Sequence, residues 1–168
     1  MEKFLPVLRR HIGKVAEGKL GEAAFWRIVG RDLGASDKRI ERLLPIFTQR
    51  RVQVQKPVLG IAKKLTRNGY KVGILSDVVP THAKIIRKTG LYRNFSPVLL
   101  SYQTGISKRK AAAYRLAARR AGVKPSEMIF FDDHNYLVAK AKRLGIKAFV
   151  YKNPAQLVRQ LRRLGVRI

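Results

Sequence analysis

The sequence predicts an α/β domain with a three-layer, mostly parallel sheet, preceded by a small all-helical block. Three observations predict it. Four short apolar runs alternate with amphipathic stretches from residue 57 onward, the signature of βαβ units. Those runs are continuously apolar rather than alternating, as strands covered on both faces are. The first 50 residues contain helical periodicity only.

In order, residues 2–16 place Phe4, Leu5, Leu8, Ile12 and Val15 at helical spacing, and Gly18-Lys19-Leu20-Gly21 makes a turn. A second helix carries Ala24, Phe25, Ile28 and Val29 and stops near Leu33-Gly34. Ser36-Asp37 can cap a third, with Ile40, Leu43 and Leu44, ending near Pro45. Residues 57–68 form a helix opened by Pro57 and stopped by Asn68-Gly69. The strands are expected at 71–76, 97–101, 127–131 and 147–151, and the intervening helices at 81–89, 108–121 and 135–143. A last helix opens at Pro154 and carries Leu157, Val158, Leu161 and Leu164. Domains are expected at 1–55 and 56–168.

Composition narrows the function classes. There is no cysteine, which excludes disulfides, thiolate metal sites and cysteine nucleophiles and fits a reducing, cytoplasmic location. No apolar run is long enough to span a membrane. Lys and Arg number 37 against ten acids, a formal charge of +27. Such a surface attracts nucleic acid or another polyanion through counterion release; the bland alternative is that cations merely solvate helix faces. After Glu41 only Asp77, Glu127, Asp132 and Asp133 carry negative charge.

A parallel α/β sheet binds ligands at the carboxyl ends of its strands, which directs attention to Ser76-Asp77, Ser101-Tyr102, Asp132-Asp133 and Lys152-Asn153. Adjacent carboxylates at a strand mouth suit a hard cation such as Mg²⁺, or one caps the following helix while the other is solvated. Ser76, followed by the amides of a helix start, can hold a phosphate oxygen. Lys108, at a helix start after Thr104-Gly105-Ile106-Ser107, can balance phosphate and carboxylate charge; it is also one cation among many.

The order of these groups resembles the haloacid dehalogenase-like hydrolases: a hydroxyl after one strand, a lysine at a helix start, then an acid pair after a later strand. The phrasing is similar too. It runs through Asn68-Gly69-Tyr70-Lys71-Val72-Gly73-Ile74-Leu75-Ser76-Asp77, then Val123-Lys124-Pro125-Ser126-Glu127-Met128-Ile129-Phe130-Phe131-Asp132-Asp133, then Ala141-Lys142-Arg143-Leu144-Gly145-Ile146-Lys147-Ala148. Gly18-Lys19-Leu20-Gly21-Glu22-Ala23-Ala24-Phe25-Trp26 is similar to the helical cap of that family's dehalogenase and sugar-phosphatase branch. The resemblance covers about residues 15–152. It implies a Rossmann-like core and a Mg²⁺-dependent phosphoester hydrolase or a dehalogenase. It implies that Ser76 and Asp77 lie at the phosphate, that Lys108 steadies the intermediate, and that Asp132 and Asp133 hold Mg²⁺.

The family's first motif, a hydrophobic strand ending in Asp-x-Asp-Gly that supplies the nucleophile, has no counterpart here. Asp32-Leu33-Gly34 ends a helix. The expectation is therefore a missing central strand between those ending at Ser76 and Phe131. Lys108 continues into Arg109-Lys110-Ala111 rather than a proline-acid-proline string, and Leu137 stands where the family places asparagine. Three readings follow: a basic pseudoenzyme that binds nucleic acid or a ribonucleoprotein, an incomplete product, or a chain whose missing strand comes from a partner or from self-association. His11, His82 and His134 show no ligand spacing and are expected in ordinary surface or packing roles; Trp26 with Phe25 is expected in the core of the helical block.

Overall fold

The computed structural model describes residues 4–36, 38–40, 42 and 53–168. The chain divides into two compact units: residues 1–53 with 76–89 and 100–107, and residues 54–75 with 90–99 and 108–168.

The first unit is built on α1 (Phe4–Ala16) and α2 (Glu22–Leu33), which pack on each other. Leu8 and Val15 recur on one face of α1, and Pro6 is tolerated because it lies in the first turn, where amides lack intrahelical partners. Phe25, Trp26 and Val29 answer from α2, with Ile40 and Val79 completing a buried cluster. Phe25 and Trp26 meet edge to face, centroids 5.0 Å apart, in the core role expected of them. The turn out of α1 requires glycine at position 18: φ is +67°, and a β-carbon there would lie 2.5 Å from the Tyr102 carbonyl oxygen. Gly34 ends α2 in the left-handed conformation. Residues 38–40 and 42 are helical, as expected, and Ile40 is buried; Asp37, Leu43, Leu44 and Pro45 lie outside the described residues.

The second unit begins with α3 (Lys56–Arg67). β1 (Ile74–Ser76) pairs with β2 (Val98–Leu100), and β3 (Ile129–Asp132) pairs in parallel with β4 (Lys147–Val150). The β3–β4 register sets Phe131 opposite Phe149, whose rings stack at 5.6 Å. Among the described residues the strands thus form two two-stranded sheets rather than one closed four-stranded sheet. Among those residues β1 and β3, the pair expected to flank a missing strand, each have a ladder on one side only.

Strand boundaries deviate for local reasons. The 71–76 run is strand only from Ile74. Pro97 has no amide to donate, so the ladder narrows to Ile74 N donating to the Pro97 carbonyl and Ser96 N donating to the Val72 carbonyl, both 2.8 Å. Gly73 allows that approach, since a β-carbon would lie 2.8 Å from the Pro97 oxygen. The 127–131 run begins only at Ile129 because Pro125–Glu127 is a 3₁₀ turn, closed by Lys124 N donating to the Glu127 carboxylate at 2.7 Å.

α4 (Pro80–Lys88) lies in the first unit, as does the single turn α5 (Ser101–Thr104). α6 (Ala111–Ala121), α7 (Asn135–Arg143) and α8 (Pro154–Arg163) belong to the second. Tyr114 of α6 is fully buried, edge on to Phe130 at 5.4 Å, and its hydroxyl donates to the Leu137 carbonyl at 3.3 Å. Val138, Ala141, Ile146 and Ala148 close that core. Leu137, the departure from the family pattern, is a core residue. α8 buries Leu157 and Leu161 and packs on α3, with Asn153 capping it by accepting from Gln156 N at 2.8 Å. No described helix is long and apolar enough to cross a membrane.

Candidate functional site

Lys108, Asp132 and Asp133 come together in the second unit. Asp132 ends β3 with its side chain almost entirely buried. One carboxylate oxygen accepts from Lys108 Nζ at 2.6 Å; the other accepts from the His134 backbone amide at 3.0 Å. Asp133 is oppositely disposed, with 73% of its side chain exposed. His134 bridges the two, its Nδ1–H donating to Asp133 at 2.7 Å and reaching Asp132 at 3.3 Å. Partial burial raises the Asp133 carboxyl, but the hydrogen bond and charge of His134 outweigh it and hold the group below the usual carboxylate range.

Lys108 does not open the helix as expected. α6 starts three residues later, at Ala111, and Lys108 lies in the preceding turn. Ser107, buried just before that turn, donates its hydroxyl to Asp77, 2.6 Å away. The helix begins with the alanine run, whose high helix propensity favours it without a side-chain cap. Lys108 is thereby held on a turn with only 17% of its side chain exposed, facing Asp132.

Ser76 and Asp77 belong to the first unit. Ser76 ends β1 half-buried. The amides opening α4 after it are largely occupied: Pro80 has none, and Thr81 N donates to the Glu22 carboxylate at 3.0 Å, with the Thr81 hydroxyl on the other carboxylate oxygen. Glu22 thus meets the positive end of α4's dipole. Val78 N donates to Ser101 Oγ at 3.0 Å, fixing the loop after β1.

Sequence reasoning missed His134, Ser107 and Glu22. His134 was legible as the residue after an acid pair. Ser107 and Glu22 carried no signal, because their partners lie 30 and 59 residues away.

What the strand-end arrangement can do is balance a buried carboxylate with an ammonium and offer a second, solvent-facing carboxylate beside it. Oxygen donors of Asp132 and Asp133 lie within 4.8 Å of each other and of the His134 ring nitrogen. Two adjacent carboxylates match a hard divalent cation that keeps most of its waters.

The sequence profile described as haloacid dehalogenase-like hydrolase matches residues 17–145. The chain belongs to that family. Its α/β fold is shared by solved members. A HAD family enzyme from Bacteroides thetaiotaomicron superimposes with a TM-score of 0.73 at 26% identity, over 90% of this chain and 77% of that one. A structure of a HAD family enzyme from the same organism, in complex with magnesium and inorganic phosphate, gives a TM-score of 0.72 at 24% identity, over 90% and 80% of the two chains. A phosphatase of Mycobacterium tuberculosis is 25% identical over 147 residues, 84% of this chain and 68% of that protein. As a family member the chain is a HAD-like hydrolase with phosphatase relatives, and Asp132-Asp133 falls inside the matched region.

Proposed function

We propose that this chain carries the magnesium- and phosphate-holding part of a phosphoester hydrolase site and does not turn over phosphoesters unaided. The observation that carries the proposal is the Lys108–Asp132 pair at 2.6 Å with Asp133 exposed beside it. In this reading Asp132 and Asp133 hold Mg²⁺, and Lys108 pairs with the buried carboxylate and adds a positive charge for phosphate. Bound Mg²⁺ would supply electrophilic assistance at a phosphoryl oxygen. Ser76 and Asp77 keep a phosphate-contacting role on sequence order and resemblance alone. The sequence contains no Asp-x-Asp string, and in this reading the nucleophile is supplied by a partner or by a linked segment.

The test pairs calorimetry with an aryl phosphatase assay on the purified chain. Inorganic phosphate is expected to bind only with Mg²⁺ present, Asp132→Asn to abolish that binding, and turnover to stay at the level of the variant. Turnover by the parent that Asp132→Asn removes would show an internal nucleophile and overturn the unaided-inactivity reading. Phosphate binding indifferent to Mg²⁺ and to Asp132 would overturn the site itself.

A further inference from the structure

A cleft lined by cations shares no residue with the acid pair. The last turns of α3 and α6 and the segments leading into β1 and β2 enclose an open cleft of about 540 Å³. Its wall carries Lys63, Arg67, Lys71, Arg93 and Arg120, and no carboxylate lines it. All of these residues lie in the second unit, whose three acids are Glu127, Asp132 and Asp133.

Part of this charge has a structural reason. Cations near a helix carboxyl end meet its negative dipole, and Lys71 Nζ donates to the Ala121 carbonyl at 2.7 Å, completing the end of α6. That account covers Arg67, Lys71 and Arg120. It leaves out Arg93, which stands on the 3₁₀ turn Leu91–Asn94, and Lys63, a turn before the end of α3. Among the described residues Lys63, Arg67, Arg93 and Arg120 are not paired with a carboxylate. Like charges crowded round one cleft repel, and an anion entering it relieves that repulsion. Two aromatic residues, Tyr70 and Phe95, share the wall, both half-buried.

We propose that this cleft binds single-stranded nucleic acid, with the five cations on the phosphate backbone and Phe95 and Tyr70 beside the bases. A small phosphate monoester would engage only part of the cationic wall, whereas a strand supplies one charge per nucleotide. The cleft has room for a nucleotide or two and not for a duplex. Cations combined with aromatic side chains are how sequence-tolerant single-strand binders work. The chain-wide charge of +27 then steers a polyanion to the surface, and the cleft gives it a place.

The experiment is an anisotropy titration of the full chain with a fluorescein-labelled mixed-sequence RNA 12-mer in EDTA, at stepped salt from about 50 to 200 mM. The triple variant Lys63→Ala, Arg67→Ala, Arg93→Ala is expected to raise Kd about tenfold or more and to lower the salt slope by about 2, three contacts at roughly 0.7 each. A charge-matched control outside the cleft, Lys84→Ala, Arg87→Ala, Lys88→Ala on α4, is expected to change Kd less than about threefold. Phe95→Leu should weaken binding by about tenfold without altering the slope. Should the cleft triple fail to fold, the salt slope of Arg93→Ala alone, on an exposed turn, decides. Equal weakening by cleft and control triples would overturn the proposal in favour of unspecific charge. Displacement of RNA by stoichiometric inorganic phosphate, or equally tight binding to phosphatidylserine vesicles, would overturn it in favour of a small anion or a membrane surface. Asp132→Asn should bind RNA like the parent, so the outcome is independent of the phosphoester reading.

Discussion

In the first unit Glu17, Glu22, Asp32 and Asp77 each end on a neighbour that fixes the chain: Lys19 at 2.6 Å, the start of α4, His11 at 2.9 Å and Ser107 at 2.6 Å. In the second unit Glu127 closes a turn, and the remaining two acids stand together at the end of β3, one buried against Lys108 and one turned to solvent. The same residue type is a fastener in one place and an exposed, charge-balanced donor pair in the other. The difference is made by partners. A carboxylate taken up by a neighbouring side chain or amide becomes architecture, while Asp133, turned to water beside a second carboxylate, can still meet a cation.

The comparison can be broken most severely at Lys108. Lys108→Met leaves the Asp132 carboxylate buried without its counter-charge and should cost about 3 kcal/mol, read as a lower urea midpoint. The double variant Lys108→Met, Asp132→Leu should recover most of that loss; if it does not, the pair contributes net stability of its own. Gly18→Ala strikes the first unit, forcing a β-carbon toward the Tyr102 carbonyl at positive φ, and should cost about 2 kcal/mol while leaving the acid pair untouched. Glu22→Ala removes the carboxylate from Thr81 and should cost about 1.5 kcal/mol, again without touching the acid pair.

The smallest expected effect is a pH dependence. The hydrogen bond and charge of His11, with Arg31 and Arg10 near, hold Asp32 below its usual value despite a small burial penalty. Its folded pKa is therefore depressed, and the contact stabilises above the unfolded value near 4 and is lost as pH falls through the folded one. Asp32→Asn should lower stability slightly at neutral pH and converge with the parent below the folded pKa, so that the acid limb of a stability-against-pH curve is flatter in that window.

Much of the fold was legible because the signals are local. Gly34 stops α2 as expected, Asn135–Arg143 is the helix the sequence predicts, and the apolar runs sit on β1 to β4. What was not legible depended on distant partners. Lys108 was expected to open a helix, but α6 starts at Ala111 and Lys108 stands on the turn after Ser107, whose hydroxyl is bonded to Asp77. Pro97 shortens a strand on which it does not lie. That Lys108 and the acid pair share a site could be read from order along the chain; the 2.6 Å contact and the bridging ring of His134 could not.

Among the described residues the ladders of β1 and β3 are one-sided, and this bears on colloidal behaviour. A strand flank without its own partner is a template on which another chain can grow. In this protein the strongest guard against such growth is mutual repulsion at +27. That guard has a range: about 10 Å in 0.1 M salt and about 3 Å in 1 M. Salting a concentrated sample should therefore shift it from dispersed chains toward strand-mediated assembly, with dilution back to low ionic strength favouring dispersal.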